Sequence, residues 1–245
     1  MNIEERVRAA LATETRFGDI RLLDETQSTN DLLIGLAGQG APEGVVIAAD
    51  FQSAGRGRLD RTWEARPGDG LLVSVLLRPS LPPDRHPLVS SAVALAARAA
   101  CADVAGVEPD LKWPNDLLVG GAKLAGILAV AAGGAVVVGM GLNVHGGPPG
   151  AAHLDALAGR RVDRALLLEA WLRELDGRAA DWDAVASDYR DQCATVGQEV
   201  SVEMSGGALL RGRAEEINGA GQLLVRERDG AIHTVSVGDV THLRW

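Results

Sequence analysis

The sequence predicts an α+β chain in which a mixed β-sheet with helices is followed by a small all-β region. Three observations predict it. Apolar runs such as VVIAAD and LLVSVLLR read as buried strands, an Ala-rich stretch opened by Pro87 reads as a long buried helix, and short alternating strands take over from Gly197.

Taken in order, VVIAAD (45–50) and LLVSVLLR (71–78) are strands separated by the polar, glycine-bearing loop FQSAGRGRLDRTWEARPGDG. Connections within compact domains are usually shorter, and long ones are usually functional or mobile. PLVSSAVALAARAACADVAG is unbroken from Pro87 to Gly106, a helix with Pro in its first turn and Gly beyond its end. LAGILAVA and AVVVGMGLNV flank Gly133 and Gly134, which reads as a β-hairpin between buried strands. After a Gly- and Pro-rich loop (145–153), residues 163–186 carry helical spacing, with Asp163 as N-cap and Leu166, Leu167, Ala170, Trp171 and Leu175 on one face. EVSVEM, LLRGRAEEI, QLLVRE and IHTVSV then follow the pattern of a small β-barrel. The expected division is 1–196 and 197–245.

At 47% hydrophobic over 245 residues the chain can bury a real core. Arg98 and Asp103 interrupt its longest apolar stretch, and MNIEERVRAALATET lacks the apolar centre of a secretion signal, so no membrane association is expected. Cys101 and Cys193 give neither a disulfide framework nor metal-ligand spacing, which fits a reducing, cytoplasmic location. A formal net charge of −9 excludes bulk nucleic-acid binding. Any anion binding must then be local. His86, His145, His153, His233 and His242 show no catalytic or metal-ligand spacing and read as surface or loop residues.

Only two lysines, Lys112 and Lys123, stand against twenty-two arginines, and they lie within twelve residues of each other in LKWPNDLLVGGAKLAGIL. A lysine is a mobile point charge able to follow a phosphate or carboxylate, where arginine is a planar fork. The pairing points to a site for anions. In the long loop, Gly55 and Gly57 permit close backbone approach, Arg56, Arg58 and Arg61 supply bidentate donors, and Trp63 offers a flat apolar face. Taken alone, GRGR also fits an exposed basic loop or a nucleic-acid tether, WPND a plain turn, and Lys123 a side chain snorkelling from a buried strand. GMGLNV lacks the third glycine and the strand-to-helix setting of a dinucleotide fingerprint.

In this order, QSTN (27–30), FQSAGRGRLDRTW (51–63), LKWPNDL (111–117), AKLAGIL (122–128) and VGMGLNV (138–144) resemble the signature blocks of biotin protein ligases. The resemblance implies a mixed sheet with helices on one side, similar to class II aminoacyl-tRNA synthetases and lipoate ligases, plus a C-terminal domain similar to an SH3 barrel. It implies that biotin and MgATP form biotinyl-5′-adenylate and pyrophosphate, and that the biotinyl group then passes to a lysine of a biotin carboxyl carrier domain. By the same resemblance Ser28, Thr29, Gln52, Gly55, Arg56, Arg58, Lys123, Gly126 and Gly139 bind biotin. Arg56, Arg58, Arg61, Trp63, Lys112, Asn115, Lys123 and Asn143 bind the nucleotide, with Trp63 at the adenine. Arg56, Arg58, Lys112 and Lys123 carry the electrostatic work of the first step, and Asp116 orients or deprotonates the acceptor lysine. No metal ligand is assigned.

Three departures stand out. Asp60 replaces a common glycine and is expected to pair with Arg58 or Arg61, AVAAG (129–133) lacks a frequent glutamate, and loop 145–153 has no aromatic to cover adenine. About twenty residues precede the ligase-like region, too few for the helix-turn-helix module of some relatives, so no DNA-binding function is expected. Pairing of two copies through the central sheet is left open. Lipoate or octanoate ligation, and a carrier-binding module without activity, are the rival readings.

Overall fold

The computed structural model describes residues 15–59, 61–204, 208–236 and 238–242; Asp60 and the first fourteen residues, on which two expectations fell, lie outside them. The chain runs through β1 (Asp19–Thr26), α1 (Thr29–Gly38), β2 (Val45–Gln52), β3 (Gly70–Leu77) and α2 (Pro87–Ala105). It continues as β4 (Asp110–Lys112), β5 (Asp116–Val119), β6 (Ala122–Ala132) and β7 (Ala135–Asn143). Helices α3 (Leu154–Ala158), α4 (Arg164–Arg178) and α5 (Trp182–Gln192) lead to β8 (Glu199–Glu203), β9 (Leu209–Ile217), β10 (Leu223–Arg226), β11 (Ile232–Val235) and β12 (Asp239–His242).

Among the described residues the first sheet has the order β1-β2-β3-β7-β6-β5-β4, parallel between β1 and β2 and antiparallel elsewhere. Side chains alternate across a strand, so each strand serves both faces. Val46, Ala48, Val73, Val75, Val136 and Val138 join the larger core with α2, α4 and α5. Val45, Ile47, Leu76 and Val137 pack instead on Leu33 and Ala37 of α1. The expectation of helices on one side is therefore corrected. Helix α1 exists because Ser28 caps it, its side chain accepting from the Asp31 N–H at 3.3 Å, and because Leu33 and Ala37 share a face.

Helix α2 ends at Gly106, left-handed at φ 67°, as the sequence predicts. Residues 83–105 have the length and apolarity of a membrane span by composition, yet α2 is the central core helix. The β6–β7 hairpin turns on Gly133 and Gly134, both at positive φ, the conformation a two-residue I′ turn requires. The single helix expected over 163–186 is two. Asp163 caps α4 by accepting from the Ala165 and Leu166 N–H groups, and Asp181 starts α5 by accepting from Asp183 and Ala184. The buried face of α4 is Ala165, Leu167, Leu168, Trp171, Leu172 and Leu175, while Leu166 is exposed.

The second sheet is antiparallel in the order β11-β10-β9-β8-β12, so β11 and β12 are its edges and a closed barrel is not described. Trp113 rivets it to the first. The buried indole donates from Nε1 to the Gly221 carbonyl at 3.0 Å, and the Trp113 backbone N–H donates to Thr195 Oγ1 at 3.0 Å.

Candidate active site

One row of side chains decides where the sheet is solid and where it is hollow. On the α1 face of β7, Ala135 and Val137 pack against the helix, but the same row continues as Gly139 and Gly141. Across the strands, Gly139 faces Ser74 of β3 and Leu128 of β6, and Gly141 faces Gly126. Losing three side chains opens a cavity beside the N-terminus of α1.

The inner end of that cavity is polar and buried. Ser74 Oγ lies 2.7 Å from both Thr29 Oγ1 and Asn30 Oδ1, and Asn30 Nδ2 donates to the Leu128 carbonyl at 3.1 Å. Gln52 Oε1 accepts from the Thr29 N–H at 2.8 Å and from its hydroxyl at 3.0 Å. Buried polar groups are costly unless hydrogen-bonded, and this cluster satisfies itself while keeping Ser28, Thr29 and Gln52 on the cavity wall. A Cβ at Gly139 would sit 3.0 Å from Ser74 Oγ and closer still to Asn30 Oδ1.

The outer end is cationic. Lys123 Nζ is 2.7 Å from Asp116 Oδ1 and 5.7 Å from the centre of the Trp63 ring. Trp63 itself lies across the glycine floor, so a Cβ at Gly126 would meet its ring at 3.0 Å. Among the described residues its buried Nε1 has no hydrogen-bond partner, and it lies against Gly141. Arg56 pairs with Asp31 at 2.7 Å, Arg58 donates to Asn115 Oδ1 at 2.9 Å and to the Gly238 carbonyl at 3.0 Å, and Arg61 pairs with Asp239. Burial lowers the Arg58 pKa from its ordinary value, opposed by the nearby carboxylates of Asp239 and Asp116. The Asn115 amide in turn donates to the Ile127 carbonyl, which fixes its oxygen toward Arg58.

Of the expected site residues, Ser28, Thr29, Gln52, Arg56, Arg58, Arg61, Trp63, Asn115, Asp116, Lys123, Gly126 and Gly139 line this cavity together. Three do not. Gly55 lies beneath the loop, where a Cβ would collide with the Trp63 carbonyl. Asn143 is buried behind the cavity, donating to the carbonyls of Ala152 at 3.1 Å and Lys123 at 3.4 Å. Lys112 sits between buried Leu111 and Trp113, so the pleat turns it away from the core into a separate cleft with Gln198, Thr241 and His242. Sequence reasoning missed Asn30, Ser74, Gly141 and Asp239. A lone serine inside LLVSVLL and the alternating glycines of GMG were readable signals, because a buried hydroxyl needs partners and strand glycines mark close approach. Asp239 carried none.

The loop after β7 is pinned from below. Asp155 lies 2.9 Å from His145 Nδ1 and accepts from the Val162 N–H at 2.8 Å. Burial pushes the Asp155 carboxyl up, but these bonds outweigh it and hold the pKa below the ordinary value. A depressed carboxylate contributes stability above its unfolded pKa and loses it as pH falls through the folded one. The gap in urea midpoint between the parent and Asp155→Asn is therefore expected at pH 7 and should close below about pH 4. A gap that persists or widens in acid would contradict this.

Residues 22–146 match the Biotin/lipoate A/B protein ligase family, and residues 195–243 match the Biotin protein ligase C terminal domain. The chain belongs to the biotin protein ligase family. It is 40% identical over 233 residues to the biotin–[acetyl-CoA-carboxylase] ligase of Mycobacterium tuberculosis, covering 90% of this chain and 87% of that protein. It is 33% identical over 192 residues to the bifunctional ligase/repressor BirA of Bacillus subtilis, covering 73% of this chain and 59% of that protein. The solved structure of the Aquifex aeolicus biotin protein ligase in complex with biotin and ATP shares the fold, with a TM-score of 0.81 and 23% identity over 94% of this chain and all of that one.

Proposed function

We infer that this chain activates biotin with ATP to biotinyl-5′-adenylate and pyrophosphate, then transfers the biotinyl group to a lysine of a biotin carboxyl carrier domain. The observation that carries the reading is the cavity's two-ended chemistry. A polar cluster of buried Thr29, Asn30 and Ser74 with half-buried Gln52 suits a cyclic urea, which both donates and accepts hydrogen bonds, and a cationic mouth suits a carboxylate beside a phosphate. The dithiolane of lipoate or the chain of octanoate would bury those polar groups against an apolar surface.

In the first step a biotin carboxylate oxygen bonds to the α-phosphorus as the bond to pyrophosphate breaks. Two anions must meet, and Lys123 at the cationic end can hold both, with Arg56, Arg58 and Arg61 beside it for the phosphate. Trp63, resting on the glycine floor, is the flat face for adenine. In the second step the acceptor amine attacks the acyl carbon and AMP leaves. Asp116, already beside Lys123, receives the proton of the incoming ammonium. Lys112 has no part in this scheme.

Magnesium fits the donors present. Mg²⁺ typically binds one or two carboxylates plus substrate phosphates, and Asp116, which lines the cavity beside Lys123, is a carboxylate that would hold it. No cluster of three or more acidic, His or Cys side chains stands ready for a metal among the described residues. When bound, the ion would neutralise charge on the departing pyrophosphate. The buried free thiols of Cys101 and Cys193 support the cytoplasmic reading, and the change of sheet after Thr195 supports a boundary near residue 196. The test is exchange of labelled pyrophosphate into ATP with biotin, lipoate or octanoate present. Exchange with biotin alone is expected; exchange driven by lipoate or octanoate instead, or none at all, would overturn the reading.

A further inference from the structure

We propose that Asp239, at the start of β12 in the second sheet, is a positioning residue that latches the arginine loop closed over the first sheet's cavity. Two independent contacts carry this. Arg61 forms an ion pair with the Asp239 carboxylate, and Arg58 donates to the carbonyl of Gly238 at 3.0 Å. Gly238 is itself fixed: a Cβ there would fall 2.5 Å from Val202 Cγ1 in β8, so the backbone is pressed onto the second sheet and its carbonyl is held in place. The loop's own bonds do not close it down. Its bridge between Arg56 and Thr62, and the Trp63 N–H to Gly55 carbonyl bond at 3.0 Å, shape the loop, while Arg56 to Asp31 and Arg58 to Asn115 tie it within the first domain, ties to which the contacts at Gly238 and Asp239 add a hold from the second sheet.

The latch reaches through Arg58 and Arg61 and contacts neither reacting atom. It rests on the adenylate chemistry inferred above, because its consequence is retention of a hydrolysable acyl phosphate behind a closed flap. An anionic partner from the other sheet thus contributes to how firmly the flap is held.

Two measurements separate this proposal from the functional reading. Trypsin cuts after arginine, so in the ligand-free protein Asp239→Asn should expose the loop to cleavage about tenfold faster, roughly the value of one charge-assisted hydrogen bond. Asp239→Glu, which keeps the carboxylate, should stay within about twofold of the parent on the same basis. Both variants should keep the parent's thermal midpoint within a few degrees, as expected for an exposed ion pair. In the second measurement, biotinyl-adenylate formed on the enzyme should dissociate about tenfold faster from Asp239→Asn, with the Kd for biotin alone little changed because the polar cluster lies at the other end. Equal cleavage and equal dissociation in parent and Asp239→Asn would overturn the latch. So would a loss that Asp239→Glu does not restore. A parent protein that forms no adenylate would instead sink the functional reading, and the cleavage experiment would still decide the latch.

Discussion

Replacing Lys123 with Ala is expected to lower biotin-dependent exchange of pyrophosphate into ATP by about 10²- to 10³-fold, the usual cost of removing one preorganised charge from a developing anion. The side chain is the cavity's compact cation, set 2.7 Å from Asp116 and held from behind by Asn143, which donates to the Lys123 carbonyl. Arginine is not expected to restore the rate, since its planar fork does not reproduce the compact charge set beside Asp116. Asp116→Asn separates the two steps. It should slow transfer of biotin from preformed adenylate to a carrier domain more than it slows exchange. Exchange by Lys123→Ala within threefold of the parent, in a protein of unchanged circular dichroism, would remove Lys123 from the first step.

The largest loss of stability is expected at Trp113. Truncation to Ala empties a buried site between the two sheets and should cost about 3–5 kcal/mol. Trp113→Phe keeps most of the ring but leaves the Gly221 carbonyl without its donor, a cost of about 1–3 kcal/mol. Urea unfolding of both variants, followed by circular dichroism, gives the ranking. A Trp113→Ala protein as stable as Trp113→Phe would mean that the indole is not the rivet described above.

Much of the first sheet was legible because its signals were local. Gly133 and Gly134 fix a two-residue turn whatever surrounds it, and Pro87 and Gly106 bracket a helix by their own backbone chemistry. Strand β1 and helix α1 went unread as elements. Asp19–Thr26 is an edge strand with polar residues on both sides, and α1 buries only a narrow face, so neither shows a strong period. The break between α4 and α5 was hidden by continuous helical spacing, and Asp181 is what ends the continuity.

The site divides the same way. Residues within the signature blocks converge on the cavity, because Gly126 of β6 pairs with Gly141 of β7, Asp116 of β5 pairs with Gly126, and Gln52 at the end of β2 bonds to Thr29. Lys112 was placed there by its rarity, but the burial of Leu111 and Trp113 on either side decides its direction. Asp239 joins the site through packing of one sheet on another, which no local pattern in the chain encodes.

The bond from Arg58 to the Gly238 carbonyl spans 180 positions of sequence. Contacts between distant segments pay the entropy of loop closure before they return anything, so they form after local hairpins and helices. A refolding chain should therefore own its hollow before it owns its door, and competence for chemistry should trail the recovery of secondary structure.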